Sequence, residues 1–227
     1  MVLIPIATIV ILGYSQLSAV RPYLAVIDVP ISVVMGLAVA VAVTVASLFI
    51  AAAIRWARSP FPMWAYTVFL TPAAIPPLLL AFGYAGAANI GGVQQGPVLV
   101  AVAQFVVFLP LGVFATLRRV TALSDDLIPA AVNLGVTPIS AILTVVAPQI
   151  MRELVLIATA IFILGFSDAV FTLFLAGPTP TFGQVMNGLS LGAANNLAFA
   201  VGIFYVCIVV FAIMVGTFVA LLGNARR

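Results

Sequence analysis

Residues 31–54 read ISVVMGLAVAVAVTVASLFIAAAI, without a charge or a proline. As an α-helix rising 1.5 Å per residue, this stretch extends about 36 Å. The hydrocarbon core of a bilayer is about 30 Å thick. The middle of the stretch is rich in Gly, Ala and Ser, which let helix backbones approach closely where lipid offers no hydrophobic drive. It reads as a membrane span packed against other helices.

Working outward, five more apolar runs stand at residues 2–20, 65–85, 97–117, 153–176 and 197–222. The fold class that follows is all-α: one polytopic membrane domain, residues 1–227, of six transmembrane helices. The first run has no basic region before it and no small-residue cleavage site after it, so it is not read as a signal peptide. A five-span alternative, with this run lying in the interface, stays open.

Composition agrees with that class. The chain is 65% hydrophobic and 6% charged, whereas a soluble domain carries charge on roughly a quarter of its residues. Its net charge of +3 comes from eight arginines against five acids. The arginines sit between apolar runs, which marks them as topology signals rather than a nucleic-acid surface. Arg55, Arg58, Arg118, Arg119, Arg152, Arg226 and Arg227 fall on one side of the six-span arrangement and only Arg21 on the other. The positive-inside bias puts both termini in the cytoplasm.

The chain has no histidine and a single cysteine, Cys207, within an apolar run. No internal disulfide is possible, and Cys207 reads as packed or lipid-facing. Without histidine, the usual general bases and metal ligands of intramembrane enzymes are missing. The pattern favours a conduit or scaffold over a catalyst, with no metal or cofactor bound by this chain.

The longest connection lies between the fourth and fifth runs: RRVTALSDDLIPAAVNLGVTPISAILTVVAPQIMR, residues 118–152. A loop this long in a compact protein usually has structure and a task. Asp126 is a candidate N-cap, Pro129 falls in a first turn, and Gly135 stands where a helix would stop. These signals predict a short helix over 127–134, with Ala130 and Ala131 as a small face. Thr137 then caps again, Pro138 opens a second helix at its first position, and this helix runs to Pro148. A helix of about eight residues is unstable alone in water. Either a partner's groove or the membrane interface would hold it.

Polar residues within the runs are few. Gln104 and Ser167 sit at membrane depth, where interhelical hydrogen bonding or a substrate contact would explain them. Asp168 lies 15 residues beyond Glu153, about 22 Å along a helix. A carboxylate there needs a partner or water. It is either a gate or path residue that meets a cation, or part of a structural pair. Pro72, Pro76 and Pro77 bend the third run, which suits a translocation path or a packing kink. Residues 85–96 and 176–196 read as uncharged outer loops able to face a solute-binding protein.

The 118–152 segment resembles the EAA loop of binding-protein-dependent ABC importer permeases. That pattern is E-A-A-x-x-x-G followed, about nine residues on, by I/V-x-x-P. Ala130, Ala131, Gly135, Val145 and Pro148 stand at matching offsets. Pro129 takes the place of the family's Glu, with Asp125 and Asp126 one turn upstream as possible substitutes. TPAAIPPLLLAFGYAG (71–86) and ILGFSDAVFTLFLAGPTPTFGQVMN (163–187) also resemble permease segments of the polyamine, ferric-iron, thiamine and phosphonate group. The resemblance covers about residues 31–222. It implies a type I importer permease in a bacterial or archaeal cytoplasmic membrane. The helix over 127–134 would be a coupling helix that docks on ATPase subunits. The implied partners are a second permease subunit, identical or different, two cytoplasmic ATPases carrying ATP and Mg, and an extracytoplasmic binding protein. No G-x-x-x-x-G-K-[ST] occurs in this chain. The rival reading is a secondary transporter, which would call for charge pairs or a proton relay within the spans.

Overall fold

The computed structural model describes residues 3–14, 29–56, 70–179, 181–191 and 195–225. Every regular element among them is helical: α1 (Leu3–Tyr14), α2 (Val29–Trp56), α3 (Pro77–Ile90), α4 (Pro97–Val120), α5 (Leu127–Asn133), α6 (Pro138–Gln149), α7 (Met151–Ser167), α8 (Val170–Leu175), α9 (Phe182–Leu191) and α10 (Asn195–Ala225). Of these, α2, α4 and residues 198–221 of α10 are long and apolar enough to cross a membrane. A fourth crossing is available if α6 and α7, bent by 86° at Ile150, form one broken span. Arg21, Arg58, Arg226 and Arg227, and all of the stretch between α1 and α2, lie outside the described residues.

The second, fourth and last apolar runs form continuous helices as their composition predicts. The third run does not. Residues 70–74 are helical, and Ile75 still donates to Thr71 O at 3.2 Å. Pro76 then turns extended, with ψ 132, and α3 restarts at Pro77. A residue before proline is driven out of the α region by the ring, and Pro76 itself precedes a proline. The fifth run also departs from expectation. Its helix stops at Ser167, Asp168 is extended (φ −67, ψ 114), and α8 begins at Val170. Finally, the presumed outer loop over 176–196 contains the ten-residue α9, whose Phe182 is completely buried.

At the centre lies α2, with α4 on one side and α7 on another; α10 packs on α7 and carries α1. The small residues of α2 make these approaches possible, as its sequence predicts. Ala40, Ser47, Ala51 and Ala52 are buried along it. Gly112 of α4 meets Val43 so closely that an added Cβ would stand 2.8 Å from Val43 Cγ1. Next to it, Ser47 and Thr116 share a 3.1 Å hydrogen bond, worth about 0.6–2 kcal/mol between helices in lipid. The ring of Phe166 then stacks at 4.8 Å on Phe182 and at 5.8 Å on Phe162, with Tyr205 of α10 beside them. Such ring pairs contribute about 0.5–1.5 kcal/mol each beyond burial. They explain why α9 docks as a helix: Phe182 is its anchor, and the Phe182 N–H bonds Ser32 Oγ of α2 at 3.0 Å.

Candidate functional site

Two constellations collect most of the polar residues singled out above. The first is the connection between α4 and α7. Here α5 forms over Leu127–Asn133 and ends as its glycine requires. Gly135 has φ +87. Its N–H reaches Val132 O at 2.9 Å, and the Val136 N–H reaches Ala131 O at 3.1 Å. These two bonds form the Schellman stop, which satisfies carbonyls at the helix end. Thr137 accepts from the Ser140 N–H at 3.3 Å and caps α6, with Pro138 in the first turn. Further on, Ile142–Val146 widens into a π turn, where the Ala147 N–H bonds Ile142 O. The ring of Pro148 and its missing N–H make an ordinary α turn there costly, and widening relieves it.

Two expectations about this segment are corrected. Asp126 adopts helical φ/ψ and makes no side-chain cap bond; its N–H instead reaches Ser124 Oγ at 3.4 Å. Ala130 and Ala131 do not form one small face. Ala130 is exposed, whereas Ala131 is only 8% exposed and packs with Ile128 against Leu48, Val120, Ala141 and Val146. Burying Ile128 contributes about 1.5–3 kcal/mol, which holds a helix too short to persist alone. The outward face of the segment carries Asp126, Pro129, Ala130, Leu134 at 84% exposure, and Ile139. Asp125 is not loose. Its carboxylate pairs with the Arg55 guanidinium, and its backbone carbonyl accepts from Trp56 Nε1 at 3.1 Å. Neither Arg55 nor Trp56 was singled out as a partner of this loop. Their place at the end of an apolar run was the available signal. Nearby, Arg119 and Glu153 approach to 3.9 Å across a cleft of about 240 Å³ that Arg118, Ala115, Leu156 and Ile157 also line.

The second constellation is the break between α7 and α8. Gln104, wholly buried on α4, donates from Nε2 to Gly165 O at 3.1 Å and to Asp168 Oδ2 at 2.9 Å. Asp168 Oδ1 accepts from the backbone N–H groups of Val170 at 3.0 Å and Phe171 at 3.3 Å. The carboxylate thus caps α8 and ties the break to α4. Thr172 Oγ1 donates to Asp168 O at 2.7 Å. Gly183 of α9 presses on the same peptide, where a Cβ would come 2.8 Å from Asp168 C and 3.1 Å from Ala169 N. Ser167 is separate from this cluster and bonds within its own turn, to Leu164 O at 3.2 Å. Pro76 and Pro77 lie exposed at the other helix break. Cys207 is exposed on α10. Among the described residues, no three His, Cys, Asp or Glu side chains gather as a metal site.

No family model matches the sequence, and no curated protein sequence matches it. Among solved structures, a chain of the MetNI methionine ABC transporter, from a study of its inward-facing conformations, is similar with a TM-score of 0.68. The two are 18% identical, and the alignment covers 89% of this chain and 98% of that one. At this identity the likeness is one of fold. The chain is a multi-pass membrane protein whose regular elements, among the described residues, are all helical, and it shares its fold with a chain of that ABC transporter.

Proposed function

We propose that this chain is a permease subunit of an ATP-driven importer, forming half of a solute pathway. It spans the membrane six times in this reading, with both termini in the cytoplasm. A second permease subunit completes the pathway, and two ATPases, which hold ATP and Mg, dock on α5. An extracytoplasmic binding protein delivers the solute. One observation carries the reading: on a scaffold like that of an ABC transporter chain, α5 is a stopped, one-turn-plus helix whose outer face is left uncovered.

Within this reading the docking surface is the outer face of α5 together with Leu134 just after it and the start of α6. Ala130, Leu134 and Ile139 supply apolar contact. Asp126 is the acid free to stand in for the family's Glu, because Asp125 is engaged by Arg55. Ala131, Gly135 and Pro148 shape the segment rather than touch the partner. Pro76 and Pro77 offer an exposed bend toward the pathway. Gln104 and Asp168 form a latch behind it, and Ser167 lies beside that latch.

The test is to purify the chain from its native membranes, reconstitute it with whatever co-purifies, and measure ATP hydrolysis and solute uptake together. Hydrolysis should accompany uptake. Gly135→Val should cut uptake per ATP at least fivefold, within the usual range of about 5–150-fold for coupling between sites. The reason is that a β-branched residue cannot hold φ +87. Uptake driven by an ion gradient without any ATPase would replace this reading with that of a secondary transporter.

A further inference from the structure

We infer that Arg55 and Trp56, at the end of α2, and Asp125, ahead of α5, form the joint through which movement of α5 enters the helix bundle. Asp125 is a positioning residue in this joint. The inference rests on the proposed coupling role of α5 and names the route by which that role reaches the spans.

Two attachments hold α5. One is the apolar cluster around Ile128 and Ala131. Apolar contact is non-directional, so it resists separation more than sliding. The other is polar and directional. Consecutive residues of α2 grip one residue of the loop twice, the guanidinium on the Asp125 carboxylate and the indole N–H on its carbonyl. Holding side chain and backbone together fixes both the position and the rotation of Asp125, two residues before α5 starts. The Arg55 side chain is only 27% exposed, and its Nε is buried without an acceptor. The Asp125 side chain is 73% exposed, so solvent screens the pair, but removing it still leaves the more buried Arg55 charge without its counterion.

The far side of the joint is suited to pass movement on. The 28 residues of α2 form one uninterrupted helix that packs against both α4 and α7. A displacement at Arg55 therefore reaches two neighbouring helices through close-packed small residues. The Arg119–Glu153 pair is the internal contrast. It ties α4 to α7 at 3.9 Å and bypasses α5.

The experiment uses the assembled complex in proteoliposomes and reads uptake per ATP hydrolysed, with the melting temperature of each preparation. Arg55→Asp and Asp125→Arg should each lower the ratio at least fivefold, within the usual range of about 5–150-fold for coupling between sites. The double charge swap should restore it to within about twofold, since contacting residues are non-additive. Glu153→Gln should leave the ratio unchanged. If a charge reversal fails to assemble, Asp125→Asn, which keeps volume, and Trp56→Phe, which removes the indole N–H but keeps an aromatic ring, should lower the same ratio to a smaller extent. Unchanged ratios in the variants, no recovery in the double swap, or equal uncoupling by Glu153→Gln would overturn the joint. If the wild type couples hydrolysis to uptake while the variants do too, only the joint falls. If the wild type transports without ATP, the permease reading and the joint fall together.

Discussion

The chain interrupts its helices at Ile75–Pro76 and again at Asp168–Ala169, and the two breaks have different origins. At the first, consecutive prolines remove two N–H donors, and Pro77 forces Pro76 extended whatever surrounds it. At the second there is no proline. Serine, aspartate and alanine would all continue a helix at modest cost. The break stands because three donors hold the Asp168 carboxylate, two from the start of α8 and one from Gln104 on α4. In addition, Gly183 lets α9 lie directly against the Asp168–Ala169 peptide. One break is a covalent property of its segment; the other is a property of the assembled bundle. In lipid, both leave backbone groups that must be satisfied by protein or by a water-lined cavity.

This difference is open to test, beginning with the largest effect. Gly183→Ala puts a methyl inside the van der Waals radius of the Asp168 carbonyl. Backbone cannot yield as a flexible side chain does, so α9 should be pushed from its seat at a cost of about 1–3 kcal/mol or more. A lowered melting temperature of the detergent-solubilised chain checks this, together with new protease access to residues 182–191. Unchanged stability would mean that α9 does not hold the second break.

Next comes Asp168. Asp168→Ala removes the cap of α8 and the tie to Gln104, and should destabilise by about 1–3 kcal/mol. Asp168→Asn keeps an oxygen for the Val170 and Phe171 amides but turns an amide toward Gln104 Nε2. It should cost about 1 kcal/mol. Uptake should follow stability in this pair. Loss of uptake at unchanged melting temperature would instead make the carboxylate a path residue.

The smallest effect belongs to the first break. Replacing Pro76 and Pro77 together by Ala restores both N–H groups and lets helix run from residue 70 into α3. Little packing changes because both prolines are exposed. Stability should move by less than about 1 kcal/mol. Hydrogen exchange at the Leu78 amide should slow, and the new amides at 76 and 77 should themselves be protected. An exchange pattern that keeps the break would show that packing, not proline, maintains it.

Legibility in the sequence follows the same division. The stop at Gly135, the caps at Thr137 and Pro138, and the long helices α2, α4 and α10 were readable because each depends on a few adjacent residues. Asp168 was read as a mid-helix acid because its partner Gln104 lies 64 positions away. The helix α9 was read as loop because its anchor, Phe182, gains its meaning only against Phe166 and Tyr205. Ala130 and Ala131 were read as one small face because so short a helix carries too little pattern to say which side is buried. Trp56 and Asp125 stand 69 residues apart, so nothing local joins them.

By itself, then, the sequence determined that this protein lives in lipid, that it is helical, and where glycine and proline must stop or bend its backbone. Those outcomes follow from the cost of charge in hydrocarbon and from the φ limits and missing donors of single residues. Only the tertiary structure decided where α7 ends, which face of α5 is presented, and that α2 grips the loop at Asp125. Each of these depends on a donor, a counterion or an empty space supplied from a distant part of the chain. Such long-range partners exist only once the helices have packed.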